Sequence, residues 1–231
     1  MNPTVPKRFG VVLSCEHASC AVPKSLRGVL TKRALHSHRG FDAGALGAAR
    51  LLARETRAPL HVGEVSRLVI DLNRSLHHRG LHAAAVRQQP SSVRDELVSR
   101  YHAPFRDAVA ASIRDAIGAS GFALHVSVHS FTPVLAGKRR EADLGLLYDP
   151  VRAAERGFAA RMQSALAAAL PALRVRRNYP YRGTADGHTT ALRREFSPRC
   201  YAGIELELGQ AWITPARVRG LVAALASVLH Q

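Results

Sequence analysis

Four short apolar runs punctuate the chain, and each ends in, or runs straight into, residues that are costly to leave dry. They are Gly10 to His17 (GVVLSCEH), Val65 to Arg74 (VSRLVIDLNR), Leu124 to Ser130 (LHVSVHS) and Gly203 to Gln210 (GIELELGQ). In open α/β proteins ligands sit outside the carboxyl ends of the strands, so repeated His, Arg and Glu at those ends imply a buried polar site and an enzyme. Val11 to Cys15 predicts a first, fully buried strand with His17 just past its end. From Asp42 the stretch AGALGAARLLARET is apolar at helical spacing and predicts a helix to Arg57, with Asp42 as N-cap or first-turn acid. Val65 to Leu72 alternates imperfectly and predicts a strand that delivers Asn73 and Arg74 to its end, before a loop marked by His77, His78, Gly80 and His82.

Between Ser92 and Ala119 a helical period (Val93, Leu97, Tyr101, Phe105, Val109, Ile113, Ile117) is interrupted by Pro104, which predicts a helix or a kinked pair. Leu124 to Val128 predicts a strand ending at His129, and Leu144 to Tyr148 is the candidate for the next. Ala153 to Ala169 predicts an amphipathic helix stopped by Pro171. Asn178 to Thr190 is rich in turn residues and predicts a loop over the site. A strand over Ile204 to Leu208 and a helix over Pro215 to Leu229 close the chain. Strands and helices alternate without internal repeats or a linker, so the expectation is one α/β domain over residues 1–231.

Composition narrows the class. A chain of 231 residues with 47% hydrophobic residues can bury a three-layer core without disulfides or metal staples. No apolar stretch approaches the roughly 20 residues of a membrane helix, and MNPTVPKRFG lacks an apolar signal region, so a cytoplasmic protein is expected. Cys15, Cys20 and Cys200 are too few and odd in number for a disulfide framework, which implies a reduced compartment. Cys15 and Cys20 lie near the first strand end as thiol candidates, against the commoner role of free cysteine as a small hydrophobe. The net charge of +16 comes almost wholly from Arg, with Lys only at Lys7, Lys24, Lys32 and Lys138. Such a surface suits nucleic acid or an acidic partner. The Arg are spread along the chain without a helix-turn-helix, RRM or zinc-finger pattern, so nucleic acid is the lesser alternative.

His17 and His129 both follow apolar strands, and two imidazoles plus a carboxylate, Asp42 or Glu16, make a catalytic zinc arrangement. Singly, a histidine at a strand end is more often a hydrogen-bonded structural residue. Glu205 and Glu207 share one strand face, where an acidic pair is costly unless it is solvated on an edge strand, paired with Arg, or transfers protons. Arg67, Asn73 and Arg74 suit a clamp for a substrate carboxylate, against an ion pair with Asp71.

Taken in order, SCEHAS, RGFDAGALGAARLLA, SRLVIDLNRS, HVSVHSFTP, ADLGLLYDP, NYPYRGTADGHTTALRREF and GIELELGQ resemble the N-formylglutamate amidohydrolase family, from about Val11 to Gln210. The resemblance implies a three-layer α/β/α fold with a central mixed sheet, phosphorylase/hydrolase-like as in the zinc carboxypeptidases, and metal-dependent hydrolysis of an N-acyl amino acid. Its DLNR block also resembles that of aspartoacylases, where Asn and Arg bind the substrate carboxylate. Position by position it implies that His17 and His129 ligate one Zn2+ per chain. The relatives' His-x-x-Glu pair fails here because Cys20 stands three residues after His17, so the third ligand falls to Asp42, with Glu16 behind it. Glu207 is then the general base for zinc-activated water, and Glu205 a neighbour that orients it or faces outward. Arg67, Asn73, Arg74 and Arg182 hold the substrate carboxylate, Arg139, Arg140 and His188 are looser candidates, and Phe131 and Tyr148 bound a small acyl pocket. The implied small-molecule substrate is N-formyl-L-glutamate or a similar acidic N-acyl compound. The alternatives are a carboxypeptidase-like peptidase or amidase, and a basic non-enzymatic protein that binds nucleic acid or an acidic partner.

Overall fold

The computed structural model describes residues 5–229. Six strands form a mixed sheet: β1 (Gly10–Cys15), β2 (Leu60–Val62), β3 (Ala123–Phe131), β6 (Leu144–Leu147), β7 (Val175–Arg177) and β8 (Tyr201–Gly209), in the order β2-β1-β3-β8-β6-β7. β4 (Val134–Leu135) and β5 (Lys138–Arg139) make a separate hairpin. The strands from β2 to β8 run parallel, whereas β6 pairs antiparallel with β8 and carries β7 parallel to itself. The helices are α1 (Lys32–Leu35), α2 (Ala45–Thr56), α3 (Ala84–Arg87), α4 (Ser91–Leu97), α5 (Ala103–Ser120), α6 (Ala153–Ala169), α7 (His188–Glu195) and α8 (Pro215–Leu229). The fold is α/β with helices on both sheet faces, as the sequence predicts.

The larger core lies on the face covered by α2, α6 and α8. Helix α2 turns Ala45, Ala48, Ala49 and Leu52 inward at helical spacing, and α8 adds Leu221, Val222 and Leu225. They meet Leu13 of β1, Leu124, Val126 and Val128 of β3, and Ile204, Leu206 and Leu208 of β8. On the opposite face a smaller apolar cluster joins Val109, Ala110 and Ile113 of α5 to Leu192 of α7 and Tyr201. Because strand side chains alternate, that second face also receives Ser14 of β1, His125, Ser127 and His129 of β3, and Glu205 and Glu207 of β8. Register stacks them across the sheet: Ser14 lies opposite Ser127, Ser127 opposite Glu205, and His129 opposite Glu207.

Four expectations change. Val65 to Leu72 is not a strand but a run of turns: Val69 N–H donates to the Ser66 carbonyl at 2.8 Å, and Ser66 Oγ donates to the Gly40 carbonyl at 2.8 Å. Val65, Val69 and Leu72 repeat at the spacing of a turn, and they pack with Leu26, Leu81, Val86 and Leu97 in a satellite core. The strand of this region is β2 instead. Its following Gly63 donates to the Cys15 carbonyl at 2.9 Å, and a Cβ there would lie 2.0 Å from the Glu16 carbonyl oxygen, so only glycine lets the two strand ends meet. Asp42 caps nothing: α2 begins at Ala45 behind Gly44, whose φ of 83° suits glycine, and the Asp42 carboxylate turns toward the sheet. Pro104 sits in the first turn of α5, and a π-helical segment at Val98–His102 joins α4 to α5. The loop over the site ends at Gly187, because α7 starts at His188. β8, finally, is a central strand buried throughout, which removes the edge-strand reading of Glu205 and Glu207.

Candidate metal centre

His17 follows β1, His129 lies in β3, and Asp42 precedes α2; their donor atoms lie within 4.8 Å of one another and all three residues are buried. Asp42 Oδ2 is 3.2 Å from His17 Nδ1 and 3.0 Å from His129 Nδ1, and accepts from Ser130 N–H at 3.3 Å. The far nitrogen of each ring is held separately: His17 Nε2 by Asp71 Oδ1 at 2.7 Å, and His129 Nε2 by Ser127 Oγ at 2.8 Å. Two imidazole nitrogens and one carboxylate oxygen, with both rings braced from behind, are a donor set that could hold a metal ion. The residues fit a metal ion. Glu16, the other carboxylate candidate, sits on the Nε2 side of His129, with Oε2 at 3.5 Å, and points away from the shared Nδ1 side.

Charge is concentrated here. Against the cost of burial, His17 and His129 hold the Asp42 carboxyl well below the usual range, and Arg67 and His17 do the same for Asp71. Burial opposes charge on His129 too, but its hydrogen bond with Asp42 carries it up to about 10. Arg67 Nη2 donates to Asp71 Oδ2 at 2.9 Å, and Nη1 lies 3.5 Å from Asp42 Oδ1. The two glutamates of β8 differ. Glu205 Oε1 accepts from the Thr189 hydroxyl, whereas Glu207 Oε2 is buried with no hydrogen-bond partner among the described residues. Burial pushes the Glu207 carboxyl up to about 7.

A cavity of about 170 Å³ opens over the cluster. His17, Asp42, His129, Glu205 and Glu207 line it, with Arg67, Asn73, Arg74, Arg140 and Arg182 around them. The structure therefore gathers the principal candidates in one cavity, with different commitments, while Arg139, Tyr148 and His188 lie outside its lining. Asn73 Oδ1 accepts from His188 N–H at 2.6 Å, and Arg74 Nη1 donates to the Asp186 carbonyl at 2.6 Å. Arg140 Nη2 donates to Tyr181 Oη at 2.9 Å, and its guanidinium lies over the rings of Tyr181 and Phe131. Arg182 is exposed. Arg139 lies on the exposed β5, Tyr148 packs in the large core on the other face, and Cys15 is buried there as a small hydrophobe. His188 sits behind the cluster, donating from Nδ1 to Glu16 Oε1 at 3.2 Å. The sequence names Asp71 only as an ion-pair partner of Arg67, a pair the structure contains, and Glu16 only as the second-choice ligand; what it misses is that they stand behind His17 and His129. The alternation in HVSVHS was the available signal, since polar residues at every second position of a buried strand mark a whole polar face.

Among the described residues no helix is long and apolar enough to cross a membrane. The crystal structure of gene product Atu2144 from Agrobacterium tumefaciens superposes with a TM-score of 0.81 at 29% identity, over 99% of this chain and 91% of that one. The crystal structure of N-formylglutamate amidohydrolase from Ralstonia eutropha JMP134 superposes with a TM-score of 0.71 at 17% identity, over 97% and 93% of the two chains, a likeness of fold. No curated protein matches the chain. The family model for N-formylglutamate amidohydrolase matches residues 9–214, nearly the whole described chain. With its fold and a buried His–Asp–His cluster under a cationic cavity, the chain belongs to the N-formylglutamate amidohydrolase family, hydrolases that act on amides of small molecules.

Proposed function

We propose that this chain is a zinc-dependent amidohydrolase, a single cytoplasmic domain that cleaves the amide of N-formyl-L-glutamate or a similar acidic N-acyl amino acid. The observation that carries the reading is the pairing of the His17–Asp42–His129 donor set with a buried carboxylate, Glu207, that has an uncommitted oxygen and lines the same cavity. A zinc ion held by His17, Asp42 and His129 would supply Lewis acidity, which makes water a nucleophile near neutral pH. Glu207 is the general base and then the general acid: its raised pKa suits it to take a proton from the attacking water and return it to the leaving amine. Glu205, tied to Thr189, does not compete for that role. Arg67, fixed by Asp71, places positive charge beside the reacting carbonyl, and Asn73, Arg74 and Arg182, with Arg140, give the cavity the cationic wall that substrate carboxylates require.

The test is metal content together with turnover. Purified protein should carry about one zinc per chain and release formate from N-formyl-L-glutamate. His17→Ala should lose both while remaining folded. Full turnover by metal-free protein sinks the zinc reading. Cleavage of short peptides in preference to N-acyl amino acids moves the enzyme to the peptidase alternative.

A further inference from the structure

Behind the cavity lies a second, sealed polar cluster whose hub is Glu16, 1% exposed. Three groups converge on its carboxylate: Ser14 Oγ at 2.8 Å and His188 Nδ1 at 3.2 Å on Oε1, and Ser127 Oγ at 2.6 Å on Oε2. A carboxylate only accepts, and a serine hydroxyl has a single hydrogen, so both serines turn theirs toward Glu16. Their oxygens are left as acceptors for the histidines beside them. Ser127 Oγ meets His129 Nε2 at 2.8 Å, and Ser14 Oγ meets His125 Nε2 at 2.8 Å. His129 must therefore carry a proton on Nε2, so Nδ1, which faces the Asp42 carboxylate, is the nitrogen that can exchange its proton for an ion.

We propose that Glu16 is a positioning residue that acts through Ser127 to keep the His129 proton on Nε2, and so reserves Nδ1 for the metal. The inference rests on the metal reading above and gives Glu16 a part in the centre without making it a ligand. It also explains why a carboxylate is buried there. Asp71 braces His17 by direct contact, whereas the geometry of β3 interposes a serine between Glu16 and His129. Such outer partners fix tautomer and ring orientation, and their loss typically costs about 10–100-fold in metal affinity.

Glu16→Gln tests the chain of hydrogen bonds with almost no change of shape. Ser14 and His188 both donate at the Oε1 position, so the amide oxygen stays there and the NH2 group faces Ser127. Ser127 then accepts from the amide and its hydrogen points to His129 Nε2, where it competes with the proton that a ring bound to a metal through Nδ1 must keep. Ser127→Ala is the comparison: it removes the hydroxyl but leaves the Glu16 carboxylate 3.5 Å from Nε2, still favouring a proton there.

Two readouts apply. Long-range 15N–1H spectra, with His129 assigned by its loss in His129→Gln, should show Nε2 protonated in the wild type with and without zinc, and Nδ1 without its proton once zinc is bound. Zinc affinity from chelator competition should fall about 10–100-fold in Glu16→Gln and clearly less in Ser127→Ala. A bare Nε2 in the wild type overturns the proposal whatever the variants do. So does an unchanged zinc affinity in Glu16→Gln, or equal losses of affinity in the two variants. A wild type that binds no zinc but keeps the Nε2 proton defeats the metal reading and leaves the Glu16–Ser127–His129 chain of hydrogen bonds standing.

Discussion

The two faces of the central sheet are built from the same strands and hold opposite contents. On the α2/α6/α8 side, β3 presents Leu124, Val126 and Val128, and β8 presents Ile204, Leu206 and Leu208; one residue along, on the other side, stand His125, Ser127, His129, Glu205 and Glu207. The apolar face works through area, which is non-directional. The polar face works through single atoms, nearly all partnered, with His188 Nε2 and Glu207 Oε2 as the buried side-chain exceptions among the described residues. A slip of one residue would exchange the faces, so the apolar side fixes the register and the register aims the chemistry. Stability and catalysis should therefore separate cleanly between residues that are neighbours in sequence.

Glu207 and Leu206 put that separation to its hardest test. Glu207→Gln should lower kcat by about 10²–10⁴, the usual contribution of a general base, with the circular dichroism spectrum and zinc content unchanged. Full turnover in Glu207→Gln with loss in Glu205→Gln would reassign the base. Leu206, 1% exposed and flanked in register by Val128 and Leu146, should do the reverse. Leu206→Ala should cost about 2–5 kcal/mol of stability in denaturant titration while kcat per folded molecule stays at the wild-type value. If kcat drops along with stability, the faces are mechanically coupled and the comparison breaks.

Much of this was legible in the sequence because period is. β1, β3 and β8 announce themselves as apolar runs, and α2, α6 and α8 as helical stripes. β2 is three half-buried residues, too short for any pattern to register. Val65 to Leu72 has a strand's composition, but Ser66 accepts locally, at Oγ from Leu68 N–H and at its carbonyl from Val69 and Ile70 N–H, which folds the run into turns. At the site, residue type and strand-end position single out His17 and His129, and the family resemblance adds Asp42 and Glu207. The parts that Asp71 and Glu16 play behind these histidines do not stand out in that way, since their partners lie far off in the chain: Asp71 is 54 residues from His17, and Glu16 is 111 from Ser127 and 172 from His188. Only the topology makes them neighbours.

A smaller effect sharpens the contrast by showing that the polar face is tuned for function at a cost in stability. The Glu207 carboxyl is raised from its ordinary 4.5 to about 7 by burial, so the folded protein holds this proton more tightly than the unfolded chain does. Its contribution to stability is full below about 4.5 and is lost as pH rises through about 7. In metal-free protein, Glu207→Gln should accordingly gain on the wild type across that window, by at most about 1.4 kcal/mol per pH unit. A difference between the two that does not change with pH would mean that the carboxylate is solvated, and the cavity wetter than its lining implies.

The smallest effects belong to the rim, where neither face decides and preorganisation should. Arg140 is held by Tyr181 Oη and by the Thr132 carbonyl, with its guanidinium 5.0 Å above the Tyr181 ring and 5.6 Å above that of Phe131. Arg182 is exposed and forms no ion pair among the described residues. A charge already fixed loses little entropy on meeting a carboxylate, whereas a free one must be ordered first. Arg140→Ala should then raise KM for N-formyl-L-glutamate by about tenfold, and Arg182→Ala by no more than about fivefold, the range of an exposed ion pair. Both should leave kcat alone, because binding that is uniform between ground and transition states appears in KM. N-formyl-L-glutamine, which lacks the side-chain charge, distinguishes the two ends of the substrate: if Arg140 reads that charge, its removal should matter little for the amide. A fall in kcat on Arg140→Ala would instead draw the hairpin rim into the chemistry of the polar face.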